Sequence, residues 1–319
     1  MKVLVTGANG FVGSYLVSEL VGRGHEVVAG VRNERGNIPV GVETCSFQLG
    51  QIDEMKEALR QTEPDVIFHL AGQSNVPYAW NDPAETLQVN AVGTVDLIKA
   101  AYETVPVARI FTVGSSEEYG IAAKEYELLH EEVECKPQNP YASSKFIAGQ
   151  VSMQLAQKYG MNIIHLRPFN HFGPRQRKGF VISDFSSQIA AIETGQMEPV
   201  ISVGNLDAWR DFTDVRDIVR AYALLIEKEG LENGIYNVSS GTPRKVGDIL
   251  QQLIELSTRS IEVIIDPAKY RPNEVERFVG SNKKLQEAVD WKTLYTFDDS
   301  LRNTLNWWRN KYKETVEQI

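Results

Sequence analysis

The opening stretch MKVLVTGANGFVG constrains the fold more than any other part of the sequence. KVLVT (2–6) is a short apolar, β-branched run, the pattern of a buried strand. It runs straight into Gly7, Gly10 and Gly13 at GxxGxxG spacing, and FVGSYLVSELVGRG (11–24) continues with a helical apolar pattern. A strand, a glycine turn and a helix in that order form the first βα unit of a nucleotide-binding sheet. Small residues there let the backbone approach a pyrophosphate, whose charge a helix N-terminus favours. The plain alternative is a tight βα turn with no ligand.

The following chain repeats the unit. HEVVAGV (25–31), ETCSFQL (43–49), DVIFHL (65–70), ARIFTV (108–113) and MNIIHL (161–166) read as strands. Helical patterns lie between them near 52–61, 84–104 and 141–159. Strands alternating with helices imply right-handed crossovers and a parallel sheet covered on both faces. The expected fold is α/β, a doubly wound parallel Rossmann sheet with a smaller α/β substrate-binding lobe. The rhythm changes after 168: RPFNHFGPRQRKGF (167–180) has no period. Helices are expected at 182–194 and 215–228, strands at 198–204, 236–240 and 261–265, and an amphipathic helix at 298–312. Residues 1–168, with 211–240 returning, are assigned to the dinucleotide-binding domain. Residues 169–210 and 241–319 are assigned to the second lobe.

At the cofactor end, Asn9, Phe11 and Val12 complete the glycine turn. An acid at the end of the second strand would hold a ribose 2′-hydroxyl. Here the strand ends AGVRN, with Val31 in that slot and Arg32 next. A guanidinium suits a 2′-phosphate, so NADP(H) is expected, with NAD(H) as the alternative. A solvated surface arginine is the competing reading. Leu70, Ala71 and Gly72 end the fourth strand and can pass their backbone along the cofactor. Asn90 is placed at the sheet–helix junction, where a plain helix-facing amide is equally consistent.

YASSK places Tyr141 and Lys145 one turn apart on one helix face. A cation beside a phenol favours phenolate, so a lowered Tyr141 pKa is expected, with the phenol passing a proton to or from a substrate oxygen. Pro140 fits the first position of that helix. The preceding strand delivers GSSEEYG (114–120) to the same point. Ser115 is the expected hydroxyl, and Ser116 reads as a turn serine.

Composition removes other classes. Charged residues make up 24% and the net charge is −9, with no concentrated basic footprint for nucleic acid. Two cysteines form no CxxC pattern and five histidines are scattered, so no metal is expected. The start lacks a signal-peptide pattern and no apolar stretch reaches membrane-spanning length. A cytoplasmic protein is expected.

TGANGFVG, HLAGQ, GSSEEYG and YASSK together resemble the extended short-chain dehydrogenase/reductases that act on nucleotide sugars. The resemblance covers essentially the whole chain. RDFTDVRD (210–217) resembles the segment that touches the nucleotide diphosphate, and RPNEVERFVGSNKKLQEAVDW (271–291) the RP(x)D signature followed by a short helix and Trp. Glu274 stands in the acidic place of that signature. The resemblance implies Ser115, Tyr141 and Lys145 as the triad and Arg210 and Arg271 as diphosphate ligands. Surface pairing with Asp211 and Glu274 is the alternative for these arginines. RPFNHFGPRQRKGFV and VGNLDAWRDFTDVRDIVRAY look most like enzymes handling GDP-linked 6-deoxyhexoses, with Asn170, Arg175 and Phe180 around the sugar nucleotide. The implied activity is reduction of the C4 ketone of GDP-4-keto-6-deoxy-D-mannose to GDP-D-rhamnose. The helices at 84–104 and 141–159 resemble the pair through which the family forms homodimers.

Glu117 holds the place of the glutamate that serves the related GDP-mannose 4,6-dehydratases, so that activity is the first rival. Ser115, where those enzymes carry threonine, favours the reductases. So does the direct run from VRN into RGNIPVGVE, without their longer arginine- and serine-rich segment. Glu117 is then expected to orient the sugar, and Glu118 to be solvated in a turn. A nucleotide-sugar 4-epimerase and a non-catalytic dinucleotide-binding regulatory protein are the other rivals.

Overall fold

The computed structural model describes residues 1–32, 36–269 and 275–317, the side chains of 315–317 excepted. The chain runs β1 Lys2–Thr6, α1 Phe11–Gly22, β2 Glu26–Val31, β3 Glu43–Ser46, α2 Ile52–Thr62 and β4 Val66–His69. Then come α3 Val76–Asn81, α4 Pro83–Leu87, α5 Gly93–Thr104, β5 Arg109–Val113, α6 Pro140–Tyr159, β6 Ile163–Pro168 and β7 Asn170–Phe172. The remainder is α7 Val181–Glu193, β8 Val200–Val203, β9 Trp209–Asp214, α8 Val215–Glu227, β10 Gly234–Val238, β11 Pro243–Lys245, α9 Val246–Glu255, β12 Glu262–Ile265, β13 Arg277–Phe278, α10 Lys283–Ala288 and α11 Phe297–Glu317.

Seven strands form one sheet in the order β10-β6-β5-β4-β1-β2-β3. Each pair within it is parallel. The expected doubly wound Rossmann sheet is therefore the observed fold. Its strands are buried on both faces, which is why they read as continuous apolar runs. One face packs Val3, Val5, Phe68 and Phe111 against α1 and α8, and the other packs Leu4, Ile67 and Ile110 against α2 and α5. A third core, with Phe172, Ile189, Ile201, Phe212, Leu250 and Leu305, lies among α7, α9, α11 and the smaller sheets. Leu285, Val289 and Trp291 pack into the first core, and the Trp291 indole donates to the Asp217 carbonyl at 2.9 Å.

The segment read as aperiodic holds β7, which pairs with β9 through Asn170↔Phe212 to Phe172↔Asp214. Three residues are too few to show a period of two. The helix expected over 84–104 is observed, running from Pro83 to Thr104 without a gap. Asn75 and Asp82 cap α3 and α4 by accepting from the amides of Tyr78 and Glu85 at 2.8 and 2.9 Å. A π-helical turn at Gln88–Val92 joins α4 to α5 within that helix. Such turns insert one residue into the helix and re-aim the side chains at the insertion. Asn90 is at its centre.

Candidate active site

The glycine turn follows β1, residues 70–73 follow β4 and Ser115 follows β5. These strands are neighbours, so the three segments meet at the carboxyl edge of the sheet where the strand order reverses, the position at which doubly wound sheets take ligands.

The glycine turn fits a dinucleotide. Gly7 sits at φ +67°, and a Cβ there would lie 2.8 Å from the Ala71 amide nitrogen. At Gly13 a Cβ would overlap the Gly7 carbonyl oxygen and lie 2.8 Å from Ala8 Cα. These two glycines pack α1 tightly onto β1 and β4. Gly10 faces more open space and caps α1 with no side-chain hydrogen bond and no acid in the first turn. The first amides of the helix, at Phe11, Val12 and Gly13, have no partner within the helix and carry its positive end. Phe11 also stacks its ring on His171 at 6.2 Å. Gly36 approaches Asn9 on the flank of the turn. Arg32 is exposed at the end of β2.

Asn90 is drawn into the site. Its side chain accepts from the Gln73 amide at 2.8 Å and donates to the Gln73 carbonyl at 2.9 Å and to Ser144 at 3.0 Å. A Cβ on Gly72 would lie 2.9 Å from Asn90 Oδ1 and 3.4 Å from Lys145 Nζ. Gly72, Asn90 and Lys145 thus line one spot, with Leu70 and Ala71 beside the glycine turn. The junction role expected for Asn90 is the one its hydrogen bonds perform.

α6 starts where Asn139 accepts from the Ala142 amide at 2.8 Å and Pro140 takes the first position. Tyr141 and Lys145 follow on one face. The Ser115 hydroxyl faces the Tyr141 phenol, near enough to act on its pKa. Lys145 Nζ donates to the Val113 carbonyl at 2.8 Å, tying the helix to the end of β5. The expectation of an acidified phenol is corrected here. Desolvation raises the Tyr141 pKa to about 12, against the Ser115 hydrogen bond, and the Glu117 and Glu118 carboxylates add to the rise. Lys145, expected to lower it, is not among the groups that act on the phenol. Burial brings Lys145 itself down to about 8, with Glu118 pulling the other way. Tyr141 is therefore a neutral proton donor at pH 7.

The two carboxylates behave unlike each other. Glu117 is partly exposed and accepts from Asn139 Nδ2 at 3.2 Å. Glu118, expected to be solvated, is fully buried. It accepts from the Ser115 amide at 2.9 Å, His165 Nε2 at 3.0 Å and Arg167 Nε at 2.8 Å. Burial would raise its pKa, but His165, Arg167 and the Ser115 amide together bring it down to about 2. The expectation fails for a physical reason: a charged residue in a glycine- and serine-rich turn reads as surface. The partners, His165 and Arg167, sit on β6 at alternate positions, a signal visible only once β6 is laid beside β5.

The residues expected around the sugar nucleotide are more dispersed. Asn170 is on β7, and Phe180 N-caps α7 with the Arg177 guanidinium 5.9 Å from its ring centre. Arg175 is at φ +73°, with its guanidinium 4.2 Å over the Tyr15 ring of α1. It thus stands at the cofactor end. Arg210 donates to the Trp209 carbonyl at 2.8 Å. Asp211, named as its alternative partner, accepts from the Ser240 amide and hydroxyl and from the Gly241 and Gly280 amides. Arg271 and Glu274 lie outside the described residues. Among the described residues no group of His, Cys, Asp or Glu is arranged to hold a metal ion, and no helix is long and apolar enough to cross a membrane.

Comparison with known proteins decides the family. The model of the family described as GDP-mannose 4,6 dehydratase matches residues 4–304. The chain belongs to the GDP-mannose 4,6 dehydratase family. Within that family, it is 34% identical over 313 residues to GDP-6-deoxy-D-mannose reductase from Pseudomonas aeruginosa, covering 98% of this chain and 99% of the relative. GDP-mannose 4,6 dehydratase from Homo sapiens is 26% identical, covering 95% of this chain and 90% of the relative. The structure of RMD from Pseudomonas aeruginosa complexed with NADPH superposes with a TM-score of 0.86 at 34% identity, covering 97% of this chain and 99% of that one. Members of the GDP-mannose 4,6 dehydratase family thus share this fold with other nucleotide-sugar enzymes. Thermus thermophilus UDP-glucose 4-epimerase in complex with NAD also superposes at 0.86, at 28% identity, covering 97% of this chain and 99% of that one.

Proposed function

We propose that this protein is an NADPH-dependent oxidoreductase that reduces the C4 ketone of GDP-4-keto-6-deoxy-D-mannose to GDP-D-rhamnose. The observation that carries the reading is the nearly full-length match at 34% identity to GDP-6-deoxy-D-mannose reductase, against 26% for the dehydratase named above. The site chemistry agrees with it. A ketone reductase needs a neutral acid at the carbonyl oxygen, and Tyr141, with its pKa raised to about 12, is one.

NADP(H), when bound, supplies the hydride. Its pyrophosphate would lie on the amides at Phe11, Val12 and Gly13, and its 2′-phosphate against Arg32. Leu70, Ala71, Gly72 and Asn90 would line the rest. Tyr141 donates its proton to the oxygen that becomes an alkoxide. The Ser115 oxygen accepts from the Glu117 amide at 3.2 Å, and its O–H, which faces the Tyr141 phenol, would donate to the same oxygen with substrate bound. A donor aimed where charge develops stabilises the transition state more than the ground state. Lys145 would hold the nicotinamide ribose. Asn170, Arg175, Phe180, Arg210, Arg271 and Glu274 are the proposed contacts to the GDP-sugar. In this reading residues 1–168 with 211–240 hold the cofactor, and 169–210 with 241–319 hold the sugar nucleotide.

The test is to mix the protein with NADPH or NADH and GDP-4-keto-6-deoxy-D-mannose and follow absorbance of the reduced nicotinamide. Stoichiometric NADPH oxidation is expected, faster than with NADH. Glu117 favours a second reading, the dehydratase. Formation of a 4-keto product from GDP-mannose and NADP without net cofactor consumption would establish that one instead. The Lys145 cation also sets a pH limit. It is charged below its pKa of about 8 in the free enzyme. kcat/KM for NADPH is therefore expected to fall as pH rises through about 8. A profile flat well into the alkaline range would remove Lys145 from cofactor binding.

A homodimer is proposed on the exposed apolar residues Val92, Tyr102 and Ile147, which lie along the π turn, α5 and α6. Tyr102 also stacks on Tyr159 at 4.1 Å, joining α5 to α6 into one surface. Light scattering decides it: a monomer mass at micromolar concentration rules it out. A cytoplasmic location is proposed on Cys45 and Cys135, both free thiols.

A further inference from the structure

Glu118 has no part in the chemistry above, yet the chain has made room for it. Its carboxylate is fully buried. A Cβ on Gly114 would overlap Glu118 Oε1 and lie 2.8 Å from His165 Cε1. From the other side, a Cβ on Gly149 of α6 would lie 2.7 Å from His165 Cδ2. Two glycines on different elements thus leave the space that the carboxylate and the imidazole fill. A buried ion pair is a poor way to gain stability, since apolar residues of the same volume serve as well or better. What such a cluster supplies is fixed geometry.

The geometry converges on Ser115. Oε1 of Glu118 accepts the Ser115 N–H at 2.9 Å, at the point where β5 ends and a 3₁₀ turn over Ser116–Tyr119 begins. The same oxygen accepts from His165 Nε2 at 3.0 Å. A carboxylate only accepts, so Nε2 carries the proton. His165 Nδ1 pairs with Thr112 Oγ1 at 2.8 Å, on the strand that leads to Ser115. The second carboxylate oxygen accepts from Arg167 Nε at 2.8 Å, and that guanidinium lies 4.9 Å over the Tyr119 ring. Glu118 is thereby held from β6 while it holds the Ser115 backbone.

We infer that Glu118, clamped by His165 and Arg167, is a positioning residue that aims the Ser115 hydroxyl at the reacting carbonyl oxygen. The inference rests on the reductase reading. Three variants test it. Glu118→Gln keeps the volume but cannot accept from all three donors. His165→Asn keeps a polar atom for Thr112 and loses the reach to Glu118. His165→Gln puts an amide nitrogen near the place of Nε2. NADPH-driven reduction of GDP-4-keto-6-deoxy-D-mannose gives kcat and KM, and fluorescence of bound NADPH gives its affinity. Losing one aimed donor costs ~10²-fold in rate. Glu118→Gln and His165→Asn are expected to lose kcat on that scale with KM and NADPH affinity within about threefold, and His165→Gln to regain about tenfold over His165→Asn. In a Ser115→Ala background His165→Asn is expected to cost nothing further, because coupled residues are not additive.

Should Glu118→Gln fail to fold, His165→Asn decides between the outcomes. Wild-type kcat in folded His165→Asn overturns the inference, as does an undiminished effect in the Ser115→Ala background or a parallel loss of NADPH affinity. An inactive wild type overturns the reductase reading and this inference with it. An active wild type with unimpaired variants overturns this inference alone.

Discussion

Tyr141→Phe is expected to lower kcat by ~10²–10⁴-fold, the range for loss of a positioned general acid. The ring stays, so packing at the start of α6 is kept and only the hydroxyl that meets Ser115 is removed. NADPH affinity should change by less than about threefold, because the glycine turn and the residues around Asn90 are untouched. The two measurements separate the acid from the scaffold. Single-turnover reduction by the variant at the wild-type rate would mean that the proton comes from another group, and the Ser115–Tyr141 assignment would be lost. Ser115→Ala should show a smaller loss of ~10²-fold, since it removes a hydrogen bond and leaves the acid.

Gly13→Ala is expected to weaken NADPH binding by about 100-fold and to lower the thermal midpoint by several degrees. The added methyl meets backbone on every side: the Gly7 carbonyl oxygen, Ala8 Cα at 2.8 Å and the Ala8 carbonyl oxygen at 2.9 Å. None of these can swing aside as a side chain would. α1 must lift from β1, at an overpacking cost of roughly 1–3 kcal/mol. The amides of its first turn move with it. Gly22, at the other end of α1, has nothing within 4 Å of its would-be Cβ. Gly22→Ala should therefore bind NADPH normally and be as stable as wild type or slightly more so. Titration of NADPH fluorescence and calorimetry on the two variants give the comparison. Equal binding by both would mean that close packing of this turn does not matter to the cofactor.

What is legible in the sequence follows from the range of each interaction. The parallel sheet and its glycine turn are readable because buried strands and helix starts are written in contiguous residues. Tyr141 and Lys145 are readable as neighbours because one helical turn fixes their relation. Their electrostatics are not, since burial does most to set the phenol's pKa, with Glu117 and Glu118 adding to it, rather than the next turn of its own helix. Glu118 misleads for the same reason: its partners are contributed by another strand, 47 and 49 residues along. The position of Asn90 at the junction is readable, but the π turn that aims it leaves no local mark, because its residues are ordinary helix formers. β7 and β13 are too short for any periodicity to show.

The order β10-β6-β5 at one flank of the main sheet carries a consequence for biosynthesis. β6 pairs with a strand that leaves the ribosome about seventy residues later, after the whole of α7, β8, β9 and α8 has been made. Until then the β6 edge is open, with the hydrogen-bonding groups beside His165 and Arg167 available to any passing chain. Fragments that stop short of Gly234 would therefore be expected to associate rather than mature, and the nascent polypeptide has no early resting point at which its nucleotide-binding half is complete.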